Sequence, residues 1–315
     1  DGKIYISDYQ LRQYYVTRER QSYSMSLDWK FDDFNKIWFK GIFNNRNDWE
    51  NRYRMTLKDI SPEGKADVRV QTKGGSERDA RLERQRTMDF TLGGENRLGV
   101  FDVGWKVGYA RASEQRPNER YIDYRLKSQH FVFDLTDPRR PFALPEEGST
   151  MFLNDDFSLK ELTQQQEDIV EQDLRMALDF RTRIGERSKI KFGAKFVSKS
   201  KDKEIDFYEY TPVSKKQFNA DALAHAVSQS SGRFMPSAAY QVGTFVSKEF
   251  LGSLDLEDGS RFEKAQVAEE LAGNYDAREN VAAGYVRFDT RLAENLKFMG
   301  GLRVENTAVR YTGRI

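Results

Sequence analysis

The feature that most constrains the fold of this chain is a strict alternation of polar and apolar residues. Between Ser22 and Phe31, serine, aspartate and lysine alternate without an error with Tyr23, Met25, Leu27, Trp29 and Phe31. A period of two residues is typical of a β-strand with one apolar face and one polar face. The sequence therefore predicts amphipathic strands rather than helices.

The same alternation recurs on both sides of short polar breaks. It is clear from Phe101 to Ala110, from Asp173 to Ile184 and from Ile190 to Phe196. Short breaks near residues 33, 96, 186 and 294 are expected to be tight turns. Two strands for each turn gives about eight core strands, and three long polar stretches separate the hairpins.

Several segments between the hairpins receive more specific predictions. Gly93–Leu98 is expected to form one of the tight turns, because glycine supplies a positive φ where a turn needs one. The charge pattern of Ser158–Glu171 is interpreted as a short helix. Two further helices are expected at Phe218–Ser228 and Phe262–Leu271, within the long irregular stretch before the last hairpin.

Composition excludes some classes of protein and leaves others open. The chain has 51 basic and 50 acidic residues among 315, so its net charge of +1 gives no reason to expect a nucleic-acid partner. A membrane helix needs roughly 18 consecutive apolar residues, which no segment provides. A mean hydropathy of −0.78 is typical of soluble proteins. A transmembrane barrel remains compatible with it, because only alternate residues must be apolar.

The cysteine content and the first residues of the sequence exclude some kinds of site and segment. The chain has no cysteine, so disulfides, thiolate metal sites and catalytic thiols are excluded. The first residues lack the basic segment and apolar core of a secretory signal. No plug domain is recognised, and we expect residues 1–315 to be part of a single β-barrel domain of a longer protein.

The last hairpin carries a family resemblance. From Ala277 onward two alternating runs meet at a short break, with Glu279 ahead of Tyr285 and the run Gly301-Leu302-Arg303-Val304-Glu305-Asn306-Thr307 after it. This hairpin resembles a segment of TonB-dependent outer-membrane receptors. The resemblance implies part of an antiparallel transmembrane β-barrel of twenty-two strands with long extracellular loops.

The resemblance also implies a function, a location and partners. Such receptors lie in the outer membrane of Gram-negative bacteria and import an oligosaccharide, an iron chelate or another scarce nutrient. The implied partners are outer-membrane lipid, the TonB complex acting through a plug, the small-molecule or oligosaccharide ligand, and a surface lipoprotein. Neither a cofactor nor an enzymatic activity is implied.

Two sets of residues are candidates for these contacts. Aromatic rings in and near the long loops can stack on a ligand, which singles out Tyr208, Tyr210, Tyr240 and Tyr275; packing of the loops is the alternative role. Charged residues opposite the apolar face are expected to line the lumen and contact a plug or an anionic ligand. These are Arg175, Arg181, Arg287, Arg303 and Glu305.

Catalytic and metal sites are not indicated. His130 and His225 lie in different segments without the spacing of metal ligands. Asp255–Gly259 lacks the spacing of a calcium loop, and the adjacent pair Asp32-Asp33 does not indicate a glycosidase. Two other classes remain open from the residues alone: a passive porin-like barrel, and a soluble β-rich glycan-binding protein.

Overall fold

A computed structural model describes residues 6–137, 139–229, 240 and 242–313 of the chain, which form an all-β protein. The thirteen described strands are β1 (Asp8–Lys30), β2 (Lys36–Lys58), β3 (Lys65–Gly74), β4 (Arg81–Leu98), β5 (Phe101–Asp134), β6 (Phe142–Pro145), β7 (Ser158–Ile184), β8 (Ser188–Pro212), β9 (Ala226–Ser228), β10 (Thr244–Val246), β11 (Phe262–Gln266), β12 (Tyr275–Ala293) and β13 (Leu296–Gly313). The three described helices are α1 (Lys215–Ala224), α2 (Lys248–Ser253) and α3 (Ala268–Leu271). None of these helices is long and apolar enough to cross a membrane.

Eight long strands build one barrel-like antiparallel sheet. They follow each other in the order β1, β2, β4, β5, β7, β8, β12 and β13, and each has 18 residues or more. The short strand β3 pairs with β2 and β5 beyond the end of β4. This arrangement confirms the antiparallel hairpins and the expected number of about eight core strands.

One predicted turn was wrong. Gly93 and Gly94 lie inside β4, and the turn comes later at Gly99, whose φ of +59° is in the left-handed region. The two glycines serve packing instead. A Cβ atom would lie 2.3 Å from the ring of Trp38 at Gly93 and 2.6 Å from Nε1 of Trp105 at Gly94.

Two predicted helices were also wrong. Ser158–Glu171 is strand, because it pairs with β5 on one side and β8 on the other, and this pairing overrides its charge pattern. In Phe262–Leu271, the first residues form β11 against β8 and only Ala268–Leu271 is helical. The helix predicted at Phe218–Ser228 is confirmed in part, since α1 ends at Ala224 and a short strand follows.

A hydrophobic core lies at the end of the sheet that carries the long connections, which we call the loop end. The opposite end, which carries the tight turns, is the turn end. The long connection between β8 and β12 folds back onto the strands there, and the ring centroids of Phe245 and Tyr53 are 5.4 Å apart. Thr72 donates a hydrogen bond of 2.6 Å to the carbonyl of Val246. Nη1 of Arg120 donates to the carbonyls of Leu251, Gly252 and Leu254 at 2.8–3.1 Å. This connection therefore covers one face of the sheet at one end only.

Candidate functional site

An apolar belt crosses one face of the sheet near the tight turns. The strand register places residues of successive strands directly opposite each other, as for Phe39, Leu92, Val107, Met176 and Phe196. We define the belt by Leu27, Phe39, Leu92, Val107, Met176, Leu178, Phe196, Val286, Phe288, Leu302 and Val304. Water-soluble monomers rarely expose contiguous apolar patches of this extent.

The belt residues are uncovered within the described structure. Leu92, Val107 and Met176 keep 43%, 41% and 42% of their surface exposed, although each has a neighbouring apolar side chain on both sides. Farther along the same face of β7, Leu162 is completely buried in the loop-end core. The fold therefore covers this face at the loop end and leaves it open at the turn end.

The opposite face of the sheet is charged along its whole length. Side chains alternate across a strand, so Arg175, Arg181 and Arg287 lie on the face opposite the belt. Arg181 forms an ion pair of 2.9 Å with Asp102, and Arg287 one of 2.8 Å with Asp289. Arg175 forms an ion pair with Asp89. The predicted arginines thus have carboxylate partners on this face.

Arg303 and Glu305 lie on the same charged face but at the edge of the sheet. They pair with each other on β13, where each side chain is 47% exposed. In the described structure β13 pairs with β12 on one side only. This pair therefore lies at an open edge of the sheet, and Arg181, at 52%, is the more exposed side chain of the predicted lumen-facing set.

A cavity of about 440 Å³ opens on the charged face near the tight turns. Its polar lining includes Arg181, Lys191 and Tyr285, whose hydroxyl donates a hydrogen bond of 2.7 Å to Asp179. The cavity therefore contains both hydrogen-bond donors and hydrogen-bond acceptors. Such a lining suits a polar partner, either a protein segment or a hydrophilic ligand.

A buried ion-pair cluster lies on the charged face at the loop end. Nζ of Lys73 is 3.1 Å from a carboxylate oxygen of both Glu50 and Glu119, and Nε of Arg81 is 2.9 Å from Glu119. Burial disfavours ionisation of Glu119, but the positive charges of Lys73 and Arg81 outweigh it and lower the pKa of its carboxyl. The cluster joins the consecutive strands β2, β3, β4 and β5, and the alternation alone did not reveal it because the pairing of the strands decides which of their charges meet.

The four candidate tyrosines are not gathered into one site. Tyr208 and Tyr210 share a neighbour, Lys264, whose amino group is 4.1 Å from the ring centre of Tyr208. Tyr210 is buried and donates a hydrogen bond of 3.2 Å to Glu257.

The other two tyrosines lie elsewhere. Tyr240 donates to the carbonyl of Pro141 at 3.1 Å and packs edge-on against Phe142. Tyr275 is stacked on Tyr311 with ring centres 5.1 Å apart, on the charged face. Tyr240 and Tyr275 thus make the contacts of packing residues, which is the alternative role that the sequence left open.

Comparison with known proteins adds no relative. No protein-family model, curated protein or solved structure matches the chain. Within the described ranges, no group of three or more histidine, aspartate or glutamate side chains is placed to hold a metal ion. The candidate functional site is therefore the pair of opposed faces, with the apolar belt on one and the charged cavity on the other.

Proposed function

We propose that the chain is part of the barrel of a TonB-dependent outer-membrane receptor that imports a scarce nutrient, an oligosaccharide or an iron chelate. The observation that carries this proposal is the uncovered apolar belt, which runs across all eight long strands. In the proposal, lipid tails cover this belt, since every long strand presents apolar side chains to the same face.

The alternating segments have lengths that fit this role. A tilted membrane strand needs about 9–11 residues, and the strands here continue well beyond their apolar segments. Those extensions carry polar residues and then the covered core at the loop end. A barrel with short turns at one rim and long, folded loops at the other is typical of outer-membrane proteins. In the proposal, the complete barrel has about twenty-two strands.

The charged face supports a lumen that is filled by water or protein. Arginine and aspartate would be costly to bury in a dry core without partners. In the proposal, the cavity at Arg181 and Tyr285 receives side chains of a plug, through which the TonB complex delivers energy. Arg175 and Arg287 lie on the same face, and in the proposal they also contact the plug.

The ligand is proposed to enter from the loop end. Tyr208 lies at the loop end of β8, where the amino group of Lys264 is 4.1 Å from its ring centre and pairs with Glu257 at 2.8 Å, a carboxylate that an anionic ligand would displace. An aromatic face stacks on a sugar ring, whereas the amino group binds an anionic chelate. Both ligand classes remain within the proposal.

Uptake measurements test the energy requirement. Accumulation of radiolabelled oligosaccharide or iron chelate is measured in cells that express or lack the receptor, each with and without a functional TonB protein. We expect receptor-dependent uptake that disappears when TonB is absent. Uptake that persists without TonB would instead identify a passive porin-like barrel, and receptor recovered only in the soluble fraction would contradict a membrane role altogether.

A further inference from the structure

A pair of arginines lies on the apolar face at the edge of the belt. Arg86 on β4 and Arg111 on β5 are diagonal neighbours, because Arg86 is opposite Ser113 and Met88 is opposite Arg111. Residues in such diagonal positions are within reach of long side chains. Beyond the belt, Phe43 and Met88 form the last apolar row on this face, and the polar zone begins at Asn45, which is opposite Arg86.

These arginines differ from those of the charged face in their partners. Throughout residues 6–137, 139–229, 240 and 242–313, no carboxylate oxygen lies within 4.0 Å of Arg86 or Arg111. Arg86 donates a hydrogen bond of 3.2 Å to the amide oxygen of Asn45. Glu19, on the same face of β1, pairs with Arg78 at 3.2 Å instead. The two guanidinium groups are therefore available to an external anion.

A cavity joins the arginines to the belt. It has a volume of about 340 Å³ and is lined on its polar side by Gln21, Asn45, Arg86, Arg111 and Ser113. Phe43 and Met88 line its other side. Amide, hydroxyl and guanidinium donors thus converge next to an apolar wall that continues into the belt.

We propose that this cavity binds the phosphate-bearing headgroup of a membrane lipid, with the acyl chains lying along Phe43 and Met88. Paired guanidinium groups are well suited to phosphate, because each guanidinium can donate two parallel hydrogen bonds. A free phosphate would use the arginines alone. A lipid also uses the apolar wall, which is why the lipid is the occupant that the cavity fits. This inference rests on the proposed membrane location.

The test compares the lipid retained by variants of the full-length protein. Wild type, the double variant Arg86→Gln/Arg111→Gln and the control Arg20→Gln are extracted from membranes with mild detergent, and bound lipid phosphate is measured by native mass spectrometry. Arg20 is an exposed arginine on the charged face at a similar level of β1. Because neither Arg86 nor Arg111 has a described carboxylate partner, the double variant should fold. Thermal unfolding monitored by circular dichroism checks this.

We expect the wild type and the control to retain phosphate-bearing lipid. The double variant should retain less of it, by a factor of about ten or more. Equal retention by folded wild type and double variant would overturn the headgroup site while leaving the membrane proposal intact. Absence of all three proteins from the membrane fraction would overturn both.

Inorganic phosphate distinguishes the two sources of the anion. It is titrated into delipidated wild type and double variant, and binding is followed by calorimetry. We expect no saturable binding to either protein, because the free ion lacks the apolar contacts. Binding of inorganic phosphate to wild type alone, with unchanged lipid retention between variants, would show a free-anion site and contradict the lipid assignment.

Discussion

Leu162 and Met176 lie on the same face of the continuous strand β7, yet Leu162 is fully buried and Met176 is 42% exposed. The difference arises because the connection between β8 and β12 packs over the loop end of this face and stops short of the turn end. This face of β7 therefore has two environments. At the loop end it is covered by protein, and at the turn end no described residue of the chain covers it.

A charge placed in the belt should prevent membrane assembly. Leu178→Asp puts a carboxylate on the apolar face, where it would cost on the order of 2 kcal/mol in lipid. Its neighbour Ala177 faces the other way, between Lys106 and Lys195. We expect Leu178→Asp to be lost from the membrane fraction and Ala177→Asp to assemble normally. Immunoblots of fractionated cells measure this, and normal assembly of both variants would contradict the assignment of the faces.

Packing of Trp105 against Gly94 should make that glycine sensitive to substitution. A Cβ atom at Gly94 would be 2.6 Å from Nε1 of Trp105, which donates a hydrogen bond of 3.0 Å to Asn96. We expect Gly94→Ala to lower the free energy of unfolding by about 1–3 kcal/mol. Gly104→Ala is the matched control, because no atom lies within 4 Å of its added methyl group. Equal stability of the two variants in a denaturant titration would contradict this packing.

The alternation of polar and apolar residues predicted most of the strands, because it arises within each strand and does not depend on contacts with distant segments. Each strand must present apolar side chains to one environment and charges to another, and runs such as Phe101–Ala110 record this directly. The same local pattern placed Arg175 and Arg181 on the face opposite the belt. Strand count and antiparallel pairing followed from the short turns between the runs.

The remaining features depend on contacts between distant segments. Ser158–Glu171 resembles a helix on its own charges, and only pairing with both β5 and β8 makes it a strand. Gly93 and Gly94 resemble a turn until two tryptophan rings are placed over them. The carboxylate-free surroundings of Arg86 also require the register of three strands. None of these relationships leaves a periodic signal in the sequence.

The buried cluster at Glu119 should contribute more stability than an exposed ion pair. Glu119→Gln removes the negative charge that faces Lys73 and Arg81, and breaking a buried pair costs about 3–5 kcal/mol. Glu305→Gln removes the exposed partner of Arg303, for which about 0–1 kcal/mol is typical. We expect thermal unfolding to show a large decrease in stability for the first variant and little change for the second. Similar melting temperatures would argue against the buried cluster.

The same carboxylate should make stability depend on pH. The folded state lowers the pKa of Glu119 below its ordinary value of 4.5. Its contribution is therefore fully present above pH 4.5 and is lost as the pH falls through the lower folded value. We expect the melting temperature of wild type to decrease more steeply than that of Glu119→Gln on acidification below pH 4.5. Parallel curves for the two proteins would show that Glu119 does not titrate in this way.

Contact of the apolar belt with lipid is tested most directly by tryptophan fluorescence. Trp105 lies on the belt face of β5 and Trp38 on the charged face of β2. Variants that keep only one of the four tryptophans are reconstituted into vesicles of a phospholipid brominated on its acyl chains. Our account predicts strong quenching of Trp105 and weak quenching of Trp38. Equal quenching of the two, or stronger quenching of Trp38, would contradict it.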